Sequence, residues 1–483
     1  MPHRRERDAQ RRDHPARRRA ADGAALGRGS EPLSAADRAS LASERGPVNM
    51  AVGGALVFEQ GPGIGYDAVR ERLQARLHLI PRYRQKLVDA PLGIAGPEWV
   101  DDEDFDLDWH LHHAKVPDPT GLPGYVGRVM SRKLDRSRPL WELHVVEGLA
   151  GGRGALVPKM HHALVDGVAA VDVGTVLLDP SPEPLDLPPP DEPWSPRPYD
   201  PAAHVARLAA TPFMRAQRRV IDAATRALET SPRSAAGDLR RTTDLLVELA
   251  RQRPQAPMTP LNEPLGPNRR YATTRVGLDA IKAAGKAAGG TVNDVLLAAV
   301  AGMLRRYLPE IGGTAGREPV ALVPVSVRRE EERGEAGNRI SMVFVDLPTD
   351  VDDPAERVRR VSAETTALKG SAAVRAGGLI AGASGWLPPA VSSVVARAMG
   401  GVRAHNVVIS NVPGPQQPFF LNGARLLSAA PVVPINPANQ RLTVGILSYD
   451  GGVSFGLLAD RDLDPPVADA AAALEQALAE LVG

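Results

Sequence analysis

The spacing of apolar residues predicts helices and strands in alternation along most of the chain. Between Tyr66 and Leu79, the residues Val69, Leu73 and Leu77 recur four apart and line one face of a helix. In Trp141-Glu-Leu-His-Val145 every second residue is apolar, the period of a half-buried strand. This alternation predicts a mixed α/β domain over residues 31–180. From Asp179 to Pro201 the chain is so rich in proline, which removes backbone donors and restricts the preceding residue, that neither helix nor sheet is expected. A proline-rich and then helical linker is therefore read over 181–256, and a second α/β domain over 257–483. Within it, Thr291-Val-Asn-Asp294 has the Thr-x-x-acid form of a capping box, with Pro309 closing the helix it opens. Leu442 to Ser448 and Val453 to Leu458 flank Tyr-Asp-Gly-Gly, a hairpin signal.

Composition narrows the function. The 483 residues are 43% apolar and 24% charged, as in a globular protein with sizeable cores, and a net charge of +1 gives no overall attraction to nucleic acid. Only seven of the 58 cations are lysine, and the arginine excess is read as a coding bias. The absence of cysteine excludes disulfides, Cys-ligated zinc, iron–sulfur clusters and a thiolate nucleophile. Residues 1–30 are Arg-rich but carry Glu6, Asp8, Asp13 and Asp22 and lead into no apolar core, so a disordered basic tail is expected rather than a secretory signal. The longest uncharged stretch, Ala376 to Ala396, holds Pro388-Pro389 and several Gly and Ser, a poor spanning helix. A soluble or peripheral protein is expected.

Candidate chemistry concentrates in Lys159-Met-His161-His162-Ala-Leu-Val-Asp166-Gly167, where a strand-like run gives way to a helical pattern. A neutral imidazole at such a boundary can take a proton from an alcohol or amine, Asp166 can fix the loop through a charge-assisted bond to an Arg, and Gly167 lets the backbone turn tightly. Spacing alone leaves a structural His pair equally open.

His161-His-Ala-Leu-Val-Asp-Gly167 fits the HHxxxDG motif of the acyltransferase superfamily that includes chloramphenicol acetyltransferase, peptide-synthetase condensation domains and bacterial wax ester synthase/diacylglycerol acyltransferases. The chain resembles the last of these most. Leu134-Asp-Arg-Ser-Arg-Pro-Leu-Trp-Glu142 matches that family's Pro-Leu-Trp block, as do the opening Pro32-Leu-Ser34, Asn293-Asp294, Ser326-Val-Arg328 with Gly337-Asn338, and Ser410-Asn-Val-Pro-Gly-Pro415, in the family's order. One departure is Met50-Ala51-Val52-Gly53, where many members carry a His in place of Ala51.

The resemblance implies an α/β fold of two chloramphenicol-acetyltransferase-like domains joined by a crossover linker, with an active-site tunnel between them. It implies transfer of a long acyl group from acyl-CoA, as co-substrate, to diacylglycerol or a long-chain alcohol. His162 is the implied base, His161 shapes the loop, and no covalent acyl-enzyme is needed. For the oxyanion, Ser410 or Asn411 in a second-domain loop is the candidate donor, against a plain Pro- and Gly-rich turn. Asn293 and Asp294 are open between substrate contact and helix cap, while Pro139, Leu140 and Trp141 are read as scaffold. Rival readings are an enzyme using a carrier-protein thioester and a non-catalytic lipid-binding relative.

Other patterns carry less. Gly452-Val-Ser454-Phe-Gly456 matches a nucleophile elbow but falls inside a predicted strand. His110, His112 and His113 suggest a metal site, but His110 and His112 are read on one strand face with no carboxylate or Cys to complete a set, so no metal is expected. From Phe213 to Leu228 an apolar face separates from one bearing Arg215, Arg218, Arg219 and Arg226. It suits either an anionic membrane surface or a packed linker. The expected location is cytoplasmic, with a peripheral place at the inner membrane face or on lipid inclusions.

Overall fold

Two six-stranded mixed sheets carry the molecule, and both are built from residues far apart in sequence. The computed structural model describes residues 30–89, 97–164, 174, 176–190, 192–210, 256–313, 318–326, 340–369, 403–435 and 440–483. The strands are β1 Ser30–Pro32, β2 Ala51–Phe58, β3 Gln85–Val88, β4 Glu98–Asp101, β5 Leu111–Lys115, β6 Trp141–Glu147, β7 Gly154–His161, β8 Arg269–Gly277, β9 Val320–Ser326, β10 Ile340–Asp346, β11 Val407–Pro413, β12 Phe420–Leu421, β13 Ala424–Val432, β14 Leu442–Tyr449 and β15 Gly452–Asp460. The first sheet has the order β12-β13-β2-β7-β6-β5 and the second β10-β9-β11-β14-β15-β8, with a small sheet β1-β4-β3 alongside. The α/β class is as the sequence implied.

The local signals hold where the chain forms its elements. Tyr66–Arg76 is a helix, continued by a tight turn at Leu77–Leu79, and its Val69, Leu73 and Leu77 are buried in the first core. Thr291 caps the helix Val292–Glu310 with both halves of the capping box present, and Pro309 lies one residue before its end. That helix is buried along most of its length against the second sheet and the helices Leu278–Ala288 and Val467–Val482. Asp450 and Gly451, with φ of 44° and 72°, make the hairpin turn between β14 and β15. Ser454 sits within β15 and is buried, so the Gly-x-Ser-x-Gly pattern has no elbow.

One strand pair crosses the sequence division. After β11 of the second sheet the chain turns into β12 and β13, and β13 pairs with β2 of the first sheet, Leu426 opposite Phe58 through Val432 opposite Gly53, before returning to β14. Residues 420–432 thus serve the first sheet although they fall within 257–483. The two sheets meet there through glycines. A Cβ on Gly456 would stand 1.9 Å from the Pro431 carbonyl oxygen, and the Tyr271 hydroxyl donates to the carbonyls of Ala430 and Pro431 at 3.0 and 3.2 Å. The second glycine of the false elbow is therefore a packing requirement.

Apart from a bridge pairing Asp179 with Phe420, residues 180–190 and 192–200 form neither helix nor strand, and a helix follows at Pro201–Ala210. Among the described residues no single helix is long and apolar enough to cross a membrane. The Ala376–Ala396 stretch and the amphipathic segment from Phe213 to Leu228 lie outside the described residues.

Candidate functional site

Strand β7 delivers the His pair. It ends at His161, whose backbone N–H donates to the Leu140 carbonyl at 2.9 Å, while the N–H of His162 donates to the Met50 carbonyl at 2.9 Å. The Pro-Leu-Trp block and the block before β2 thus grip consecutive peptide groups of the motif. Leu140 and Trp141 are themselves core: the Trp141 indole donates to the Tyr83 carbonyl at 2.8 Å and stacks on the His110 ring at 4.4 Å. Ala51, which replaces the family's frequent His, lies directly opposite His161 in the β2–β7 pairing.

The two imidazoles face different surroundings. His161 is buried, and its Nδ1 accepts from the Ala163 N–H at 3.0 Å, which fixes the tautomer and closes the turn after the strand. Its Nε2 lies 3.8 Å from a carboxylate oxygen of Glu44. Burial pushes the His161 imidazole down to about 4; Glu44 opposes that, and the charges of Arg136 and His162 add to it. His161 is thus a neutral ring at neutral pH, with Nδ1 committed to the turn. His162 is exposed and so can meet a substrate. Asp166 and Gly167 lie outside the described residues.

Glu44 is a residue the sequence reading missed. Its buried carboxylate accepts from the Met50 N–H at 3.2 Å and from Arg136 at 2.9 Å, so it fixes Met50, whose carbonyl receives the His162 N–H, and lies beside the ring of His161. No local pattern marks it, because its partners lie 6 to 117 residues away along the chain.

The second-sheet candidates divide. Ser410 and Asn411 sit in strand β11, paired with Gly445 and Ile446 of β14, rather than in a loop or turn; the parallel ladder absorbs a sequence that its Pro and Gly made look like a turn. Asn411 donates through its amide to Asn293 Oδ1 at 3.2 Å, so these two candidates meet. Asp294 is buried, with its carboxylate accepting from the Thr291 N–H and hydroxyl, both at 2.8 Å, and from the Thr365 hydroxyl at 2.8 Å. That cap occupies the carboxylate, and substrate contact by Asp294 is set aside. Arg328, Gly337 and Asn338 lie outside the described residues.

The three histidines grouped by sequence separate in space. His110 ends the short helix Leu107–His110 and is buried against Trp141, so it shares no strand face with His112. His112 lies on β5 beside His144 of β6, and Glu142 completes a group within ligand reach, which removes the ground on which a metal set was dismissed.

Buried neutral histidines make stability depend on pH. Burial also holds His405, beside Gln440, down to about 4. An unfolded chain takes up these protons near pH 6.5, so the stability present above that value is lost as pH falls toward 4, by a few kcal/mol in all. Melting temperature should drop already between pH 6.5 and 5, before most carboxylates titrate. His405→Leu should flatten that slope, and an unchanged slope would discount the buried imidazole.

Residues 33–296 match the model of the wax ester synthase/diacylglycerol acyltransferase catalytic domain, and residues 336–482 that of the family's C-terminal domain. A probable diacylglycerol O-acyltransferase of Mycobacterium tuberculosis is 35% identical over 437 residues, covering 88% of this chain and 92% of that protein. A second from the same organism is 32% identical over 429 residues, covering 88% and 89%. Among solved structures, the wax ester synthase/diacylglycerol acyltransferase from Marinobacter aquaeolei VT8 aligns with a TM-score of 0.66 at 29% identity, covering 93% of this chain and 98% of that one. The starter condensation domain of rhizomide synthetase shares the fold, with a TM-score of 0.53 at 14% identity, covering 96% of this chain and 97% of that one.

Proposed function

Because the chain belongs to the wax ester synthase/diacylglycerol acyltransferase family, we propose that this acyltransferase moves a long acyl group from acyl-CoA to diacylglycerol or a long-chain alcohol, with His162 as general base. One observation carries the assignment to His162: of the two imidazoles, His161 has a ring nitrogen committed to the turn while His162 is exposed on a backbone clamped by Met50. His162 takes the acceptor hydroxyl proton as oxygen bonds to the thioester carbon. The C–S bond then breaks, and the imidazolium returns the proton to the leaving CoA thiolate. The oxyanion calls for a donor, for which Ser410 and Asn411 remain the candidates, Asn411 being aligned by Asn293. Acceptors of this class partition into lipid, and the proposal places the enzyme at the cytoplasmic membrane face or on lipid inclusions.

Both acceptor classes offer the same hydroxyl chemistry, so only the shape of an apolar pocket can separate them, worth roughly 1–3 kcal/mol per methylene. Assays of acyl-CoA turnover should therefore give product with both diacylglycerol and hexadecanol, with a modest preference for diacylglycerol. Strict use of a short polar acceptor would overturn the reading. Turnover only with a carrier-protein thioester would move the chain to the condensation branch.

A further inference from the structure

We propose that His112, Glu142 and His144 form a binding site for one divalent transition-metal ion, zinc by the chemistry of its ligands, at the β5–β6 edge of the first sheet. The site follows from strand geometry. Glu142 and His144 are two residues apart on β6 and share a face, and His112 is the register partner of His144 on the parallel strand β5. One ligand atom from each residue lies within 4.8 Å of the other two, a spacing that one ion spans after small side-chain rotations, given ligand bonds of roughly 2.0–2.2 Å. The two rings stack with centroids 4.6 Å apart, which holds the two imidazoles side by side.

The surroundings suit a metal ligand set. The Tyr125 hydroxyl lies 2.9 Å from Nδ1 of His144, and Nε2 of the same ring lies 3.2 Å from Glu142 Oε2. Tyr125 donates to Nδ1, so that Nε2–H donates to the carboxylate; a bound ion would take the place of that proton, with Nδ1–H then donating to the Tyr125 hydroxyl as the outer partner that sets the tautomer. Side-chain exposures of 10% for His144 and 24% for Glu142 leave an entry path while removing most competing water.

Lys159 is the strongest objection. It is fully buried and its ammonium also lies 3.2 Å from Glu142 Oε2, so it already neutralises that carboxylate. An ion bound through the other carboxylate oxygen leaves this pair in place, with Lys159 as an outer partner. The same ammonium, with a single carboxylate available, disfavours calcium and magnesium, which need several oxygen ligands, and leaves the two imidazoles as the main donors. The ion would pin the edge strand to β6 and to the helix Leu122–Ser131 that carries Tyr125.

The test uses the full chain stripped with EDTA and dialysed against zinc chloride at pH 7.5. Atomic absorption should find one zinc per chain, and zinc should raise the melting temperature. His112→Asn and Glu142→Gln should each weaken binding at least about 100-fold in calorimetric titration and abolish the thermal shift, and Tyr125→Phe should weaken it roughly tenfold. His161→Ala should keep its zinc, which separates the site from the His pair. No retained zinc in the wild type, or equal zinc in wild type, His112→Asn and Glu142→Gln, would overturn the proposal.

Discussion

Replacing His162 with alanine leaves a folded protein whose turnover falls at least about 10³-fold, the upper part of the range for a removed general base. The side chain is exposed and its backbone N–H stays bonded to Met50, so truncation opens no cavity and the melting temperature should hold. His161→Ala behaves in the opposite way. It removes the acceptor of the Ala163 N–H and leaves Glu44 and Arg136 facing a void, so it should lower the melting temperature clearly and activity less than His162→Ala does. The readout is direct: the chain has no cysteine, so a thiol reagent reports released CoA with no protein background. Wild-type turnover by folded His162→Ala protein would remove His162 from the base role.

What was legible in the sequence was local. The Thr291–Asp294 cap, the Asp-Gly hairpin and the strand β6 each arise from residues within a few positions of one another, although β6 is buried on both faces from Leu143 to Val146 rather than half-buried. The family blocks located the His pair for the same reason: they are short and contiguous. What was not legible depends on distant pairing. Nothing in the sequence of Ala424–Val432 says that its partner is β2 rather than β14. Glu44 carries no motif, and Glu142 and His144 become neighbours of His112 only once β5 is laid beside β6. The arginines are the sharpest case. Excess arginine was read as a coding bias, yet Arg72, Arg76, Arg269, Arg357 and Arg441 are all buried. A guanidinium is stable there only when acceptors surround it, and acceptors drawn from several segments leave no pattern along the chain.

Asp179→Ala should be among the most destabilising single substitutions in the chain, at about 3–5 kcal/mol. Asp179 is buried between two arginines of the helix Tyr66–Arg76, bonded to Arg72 and, at 3.1 Å, to Arg76. Arg72 also donates to Asn422 Oδ1 at 2.9 Å, and Arg76 to the carbonyls of Val176 and Leu185 at 3.0 and 2.8 Å. Asn422 in turn donates to the carbonyls of Gly63 and Ala68, and the backbone of Asp179 exchanges two hydrogen bonds with Phe420. One carboxylate thus joins the helix, the segment that follows the His-pair loop, and the strand turn returning from the second sheet. Without it, two guanidinium groups remain buried side by side with no counter-charge, and their repulsion adds to their desolvation. Asp179→Asn keeps a hydrogen-bonding side chain but loses the charge, and should fall between wild type and Asp179→Ala. Pairing Asp179→Ala with Arg72→Met removes one of the stranded charges and should recover part of the loss, which a change acting only through lost packing would not allow. Thermal denaturation at neutral pH decides the matter: a melting temperature for Asp179→Ala within about 1 °C of wild type would show that this cluster does not hold the helix, the segment around Asp179 and the β12 turn together.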